Sequence, residues 1–160
     1  MSLEVNVGIS DMKIANAPEG LISYALGSCV GICIIDKVLQ IAGMAHIMLP
    51  YNKNEDKTNT FKYADTGIAE MIKKMEIMGC SRSRMVAKIA GGAKMFEMAG
   101  NSIIGNIGER NVAATKETLQ KLKIRLLAED VGANYGRTII FDSNTGNLTV
   151  KSFAKSIKVI

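Results

Sequence analysis

The run Val30 to Ile35, Val-Gly-Ile-Cys-Ile-Ile, constrains the fold more than any other feature of the chain. A strand with one face in water alternates apolar and polar side chains, because successive residues point to opposite faces of a sheet. Here nothing polar interrupts the run, and its branched side chains favour extended backbone. The expectation is a strand buried on both faces, with other layers of structure above and below it.

Further strands are predicted around it. Val5, Val7 and Ile9 alternate with polar or small residues. Leu21 to Leu26, Ile41 to Met48, Met85 to Ala90, Ile124 to Ala128, Thr138 to Phe141 and Leu148 to Phe153 are short apolar runs bounded by turn residues. Asn144-Thr145-Gly146-Asn147 separates the last two with residues that tolerate positive φ, which predicts a hairpin.

Ala64, Ile68, Met71, Ile72, Met75 and Met78 recur at three- and four-residue spacings, so a helix is expected there. Asn59 or Thr60 is the expected N-cap and Gly79 the C-terminal cap; the methionines read as core. A second helix is expected to begin near Asn111, with Ala114, Leu119 and Leu122 inward, and a single helical turn over Lys94 to Met98. Strands lead and helices are few. The predicted class is α/β, or α+β: mixed β-sheet layers covered by two main helices, a single-domain sandwich over residues 1–160.

Composition narrows the function. With 48% apolar and 22% charged residues, the 160-residue chain can bury a real core. No apolar run approaches the ~20 residues of a membrane span, and the start lacks a secretion signal's pattern, so no membrane insertion and a cytoplasmic location are expected. The net charge is +5, but aromatics are 5% and no nucleic-acid motif is present, so a nucleic-acid partner is not expected. Arg82, Arg84 and Lys88, and again Lys121, Lys123 and Arg125, read as solvated faces. Gly91-Gly92-Ala93-Lys94 lacks the Gly-Lys-Ser/Thr ending of a phosphate loop and reads as a tight turn.

The chemistry concentrates on two residues. Three cysteines, an odd number without a secretion signal, argue for reduced thiols rather than a disulfide framework. Cys29, Cys33 and the sole histidine give three zinc ligands at most without a carboxylate, so no metal is expected, and no cofactor either. Cys29 lies between Gly27-Ser28 and Gly31, where one apolar run ends and another begins. Small neighbours leave its sulfur reachable and let backbone N–H groups around Gly27 and Ser28 face an incoming carbonyl. Free cysteines are often plain core residues, which suits Cys33 within its apolar run, and Cys80 has no evident partner. A histidine in an apolar strand is ordinarily a hydrogen-bonded core residue too. If a base with near-neutral pKa serves Cys29, however, it has to be His46, because no other imidazole exists.

Leu26-Gly27-Ser28-Cys29-Val30, followed by Gly43-Met44-Ala45-His46-Ile47-Met48-Leu49-Pro50, resembles the signature of the CheD family, the chemoreceptor glutamine deamidases of bacterial and archaeal chemotaxis. Lys62-Tyr63-Ala64-Asp65, Ile89 to Phe96, Ile107-Gly108-Glu109-Arg110-Asn111 and Tyr135-Gly136-Arg137 extend the likeness over nearly the whole chain. The resemblance implies a Cys-His-Thr triad, the threonine six positions before the cysteine, where this chain has Ser23. It implies deamidation of glutamine side chains on the cytoplasmic helices of methyl-accepting chemoreceptors; the Cys29–His46 pair suggests the route, thiolate attack through a thioester with release of ammonia. It also implies a CheC-type phosphatase as partner. The serine at position 23 leaves a second reading: a non-catalytic binding module that regulates such a phosphatase.

Overall fold

The computed structural model describes residues 3–95, 106–152 and 156–160. Among them ten strands pair into two mixed sheets of five. The first sheet runs in the order β1 (Glu4–Asn6), β3 (Gly20–Leu26), β8 (Arg137–Asp142), β9 (Leu148–Ser152), β10 (Ile157–Val159). The second runs β2 (Met12–Asn16), β5 (Ile41–Ile47), β4 (Val30–Asp36), β6 (Met85–Gly91), β7 (Arg125–Val131). Helices α1 (Ala64–Ile77) and α2 (Ile107–Lys121) cover the outer face of the second sheet. This is the α/β sandwich of mixed sheets under two helices that the sequence predicts.

β4 is the central strand of its sheet, and every one of its residues is buried. Its side chains divide by parity between two cores, as the unbroken apolar run requires. Val30, Ile32 and Ile34 face the helices and meet Ile68, Met71, Ile72 and Met75. Cys33 and Ile35 face the other sheet and meet Leu21, Ile139, Phe141 and Val150. Asp36 closes the strand, its buried carboxylate paired with Arg84 at 2.8 Å and accepting the Ser81 N–H at 3.1 Å. β6 and β7 are parallel, and the crossover between them contains α2, which must therefore lie across the sheet.

Several sequence expectations need correction. The first strand stops at Asn6, and Ile9 is exposed in the turn that follows; β2 and β10, short edge strands without a clear apolar period, were not foreseen. α1 is not capped by Asn59 or Thr60. A 3-10 turn over Thr60–Lys62 precedes it, and its N-cap position, Tyr63, makes no side-chain capping bond. Gly79 does follow the helix with φ of +103°, while Met78 faces solvent. α2 starts four residues before Asn111, because Ile107 to Arg110 form its first turn and Asn111 is buried in its second. Phe153, and the Met98 end of the turn expected from Lys94, fall outside the described residues; Lys94 and Met95 belong to no regular element.

Candidate active site

Gly27, Ser28 and Cys29 form the short link by which the chain leaves the first sheet and enters the second. The exit is shaped by a bulge. Ser23 pairs with Ile139 but Leu26 with Arg137, one residue out of step, and Ala25 takes φ of +57°. Three residues apart, Ser23 and Leu26 would face opposite sides of a regular strand; the extra residue lets both point into the space between the sheets.

All three carbonyls of the link are held. Gly27 O accepts from Ala93 N–H at 2.8 Å and Cys29 O from Gly92 N–H at 2.8 Å. Ser28 O accepts from Asn111 Nδ2 at 3.0 Å. Because a peptide unit is planar and trans, fixing the Gly27 and Ser28 carbonyls turns the N–H groups of Ser28 and Cys29 to the opposite side. Gly91, with φ of +117°, has no side chain because a Cβ there would run into Cys29 O. Arg137, 1% exposed, braces this turn: its Nη1 donates to Gly132 O at 3.0 Å and Gly91 O at 3.4 Å, and Nε pairs with Asp130 at 3.3 Å. The N–H groups of Gly92, Ala93 and Lys94 are all spent on backbone carbonyls, which agrees with a tight turn rather than a phosphate cradle.

His46 comes from β5 and shares the inter-sheet face with Ala42 and Met44, opposite Gly31 in the ladder. Ser23 approaches from the other sheet, its Oγ 2.8 Å from His46 Nδ1 and 2.7 Å from Val7 O. The protons fix the roles. A hydroxyl has one hydrogen and a carbonyl can only accept, so Ser23 donates to Val7 O and accepts from Nδ1–H. In a neutral ring the other nitrogen, Nε2, then carries a lone pair, and it is buried with no hydrogen-bond partner among the described residues. Burial lowers the His46 pKa to about 4, so the ring is neutral at neutral pH.

Extending the β4–β5 register outward sets Cys29 opposite Met48 and diagonal to His46, on the same face. Diagonal neighbours in a sheet lie roughly 7–8 Å apart, within reach of long or aromatic side chains. No hydrogen bond joins the sulfur to the ring. Cys29 is half-buried, and burial raises its thiol pKa, opposed by its own backbone N–H. Both groups are therefore neutral, in contrast to the thiol with depressed pKa that an imidazolium neighbour would produce.

Cys33 lies fully buried between the sheets and Cys80 is buried beside α1, so neither shares this site. In the first candidate basic face Arg84 pairs with Asp36 and Arg82 with Glu76, while Lys88 Nζ donates to Gly146 O and Ile160 O; in the second, Lys121 pairs with Glu117. Asn111 was not foreseen as part of the site, although the segment ending in it carries the family likeness. Among the described residues no helix is long and apolar enough to cross a membrane.

The family model for CheD chemotactic sensory transduction matches residues 48–152, a stretch that begins two residues after His46 and leaves Ser23, Cys29 and His46 outside it. Full-length relatives cover those three positions. A protein of Syntrophomonas wolfei named probable chemoreceptor glutamine deamidase CheD is 50% identical over 161 residues, 100% of each chain. Proteins of the same name from Caldanaerobacter subterraneus, 50% identical over 98% of this chain and 97% of theirs, and Lachnoclostridium phytofermentans, 45% identical over 98% of each, are similar throughout. The crystal structure of Neisseria meningitidis protein NMB0706 superposes on 82% of this chain and 64% of its own with a TM-score of 0.48 and 9% identity, a likeness that bears on neither site nor activity. By the matched model and by relatives of this identity along the whole chain, the protein belongs to the CheD family.

Proposed function

We propose that the chain deamidates glutamine side chains of chemoreceptors, with Cys29 as nucleophile, His46 as general base and Ser23 as the residue that orients the imidazole. The observation that carries this reading is the bond from His46 Nδ1 to a hydroxyl already committed to Val7 O, which leaves Nε2 as the free lone pair. The relatives' name, chemoreceptor glutamine deamidase, supplies the substrate.

In the resting state thiol and ring are neutral. A substrate carboxamide seated against Cys29 excludes water, and Nε2 takes the Sγ proton as the sulfur attacks the amide carbon. The C–S bond forms and the carbonyl oxygen becomes an oxyanion, stabilised by the Ser28 and Cys29 N–H groups, while Gly27 contributes through its anchored carbonyl. Burial disfavours the protonated ring, so Nε2–H passes its proton to the leaving nitrogen readily. The C–N bond breaks and ammonia departs. Nε2 then takes a proton from water, hydroxide attacks the thioester, the C–S bond breaks, and glutamate and the thiol are restored.

The test is ammonia release from a receptor cytoplasmic fragment, with the converted residue located by mass spectrometry. Cys29→Ala should abolish release and leave the fold intact; undiminished release would end the nucleophile assignment. The raised thiol pKa and the absent sulfur–imidazole bond favour one other reading, a binding module for a CheC-type phosphatase with a slow or idle thiol. A wild-type protein that stimulates the phosphatase but releases no ammonia would establish that alternative.

A further inference from the structure

We infer that Asn111 is a positioning residue that sets the reach between Cys29 and His46, an inference that rests on the catalytic reading above. The regular β4–β5 ladder ends at the pair Val30 and Ile47. Beyond that pair the ladder forms no further rung, next to the point where the nucleophile and the base have to be held together. Asn111 Nδ2 bridges the gap, donating to Ser28 O at 3.0 Å and to Met48 O at 2.9 Å. One carbonyl immediately precedes the nucleophile, and the other lies two residues past the base. A side-chain NH2 with two protons thus takes the place of the next rung of the ladder.

The orientation of this amide is fixed. Turning it over would set Oδ1 against two carbonyl oxygens, an arrangement with no donor. The side chain is completely buried, and Oδ1 has no hydrogen-bond partner among the described residues, so the donors alone hold it. An unpaired buried acceptor is unfavourable, and the site tolerates one here in order to place the two protons.

The helix beneath is fixed as well. Gly108, one turn before Asn111, lies so close to the Gly92–Ala93 backbone that a Cβ would run into Ala93 O and come within 2.7 Å of the Gly92 carbonyl. That turn is the one holding Gly27 O and Cys29 O. Thr115 Oγ1 ties Asn111 O at 2.8 Å one turn further on. The buried face formed by Gly108, Asn111 and Thr115 is thus the floor of the site, and Asn111 joins the residue before Cys29 to the segment just past β5.

The experiment compares wild type, Asn111→Asp, Asn111→Ala and Cys29→Ala as full chains on the same receptor fragment, with rates taken per folded molecule from circular dichroism. Asparagine and aspartate share a shape, but a carboxylate offers no donor and repels both carbonyls. At neutral pH kcat should fall about 100-fold in both Asn111 variants, the cost of a misplacement of about 1 Å, with KM changed no more than about twofold. Alkylation of Cys29 by iodoacetamide should slow with it. Relative to wild type, Asn111→Asp should recover as pH falls, because the protonated acid regains one donor, whereas Asn111→Ala should not. If the aspartate variant does not fold, the alanine variant, which adds no charge, carries the comparison. A kcat within about threefold of wild type per folded molecule, or a loss confined to KM, overturns the inference. Full activity in Cys29→Ala overturns the catalytic reading instead, so the two failures are distinguishable.

Discussion

Acidifying the protein from neutral pH toward about pH 4 is expected to erode its stability through His46. The imidazole is 1% exposed, and burial lowers its pKa to about 4 from the 6.5 of an unperturbed histidine. Between those values the unfolded chain binds a proton on the ring that the folded chain excludes, so falling pH favours unfolding. The stability contribution is complete above the unfolded pKa, declines through the interval, and is gone below the folded pKa. Two and a half units of separation correspond to about 3 kcal/mol. The comparison protein is His46→Asn, whose side-chain amide can still donate toward Ser23 Oγ but does not titrate. Urea unfolding of both proteins at closely spaced pH values gives the difference in unfolding free energy. That difference should shift by about 3 kcal/mol against the wild type as pH falls through the interval. Asp11 and Asp36, where burial raises the pKa but the hydrogen bonds and charge of Lys13 and Arg84 together with backbone N–H donors lower it overall, behave alike in both proteins and cancel. The chain has no second histidine to blur the interval. Parallel curves, with the difference constant to within about 0.5 kcal/mol, would refute a neutral buried imidazole.

Two further perturbations probe the same geometry. Ser23→Ala leaves Nδ1–H and Val7 O without their partner, so it should cost about 1–3 kcal/mol in denaturant unfolding and lower kcat by about tenfold or more, since the ring is no longer held in one tautomer. Ser23→Thr keeps the hydroxyl and should keep the activity; equal loss in the two variants would remove Ser23 from the site. Gly91→Ala meets Cys29 O, a backbone atom that can yield only by moving Cys29, the proposed nucleophile, whereas Gly146→Ala, at φ of +78°, finds its nearest neighbour 3.6 Å away on the Ile35 side chain. Both should lose about 1–3 kcal/mol of stability to backbone strain, but only Gly91→Ala should lose ammonia release per folded molecule.

The parts of this fold that were legible in the sequence are those written into a local period. Val30 to Ile35 announced a doubly buried strand, and the spacing of Ile68, Met71, Ile72 and Met75 announced a helix, because burial on a fixed face leaves a periodic trace. Element ends were read less well. Asn59 and Thr60 have capping side chains, yet a 3-10 turn precedes the helix and displaces them from the cap. β2 was missed since Met12–Asn16 is an edge strand that pairs only with β5, so its pattern is diluted by Lys13 and Asn16.

In the site, Cys29 and His46 stood out by chemistry and count, and Ser23 by likeness to a family triad. Asn111 did not. Its contacts join residues 28, 48 and 111, which share no local pattern, and a helix expected to begin near Asn111 gives no reason to bury that side chain in its second turn. The thiol's raised pKa was also out of reach of the sequence, because it depends on how deeply the link between the sheets is buried.

The measurement that bears most directly on the base is nitrogen-15 NMR of the imidazole in wild-type protein, free of assignment ambiguity in a chain with one histidine. The bond to Ser23 predicts Nδ1 protonated and Nε2 bare at neutral pH, a pattern that persists on acidification to about pH 5 because the ring's pKa lies near 4. A proton on Nε2, or an imidazolium signal at neutral pH, would contradict the lone pair from which the proposed chemistry starts.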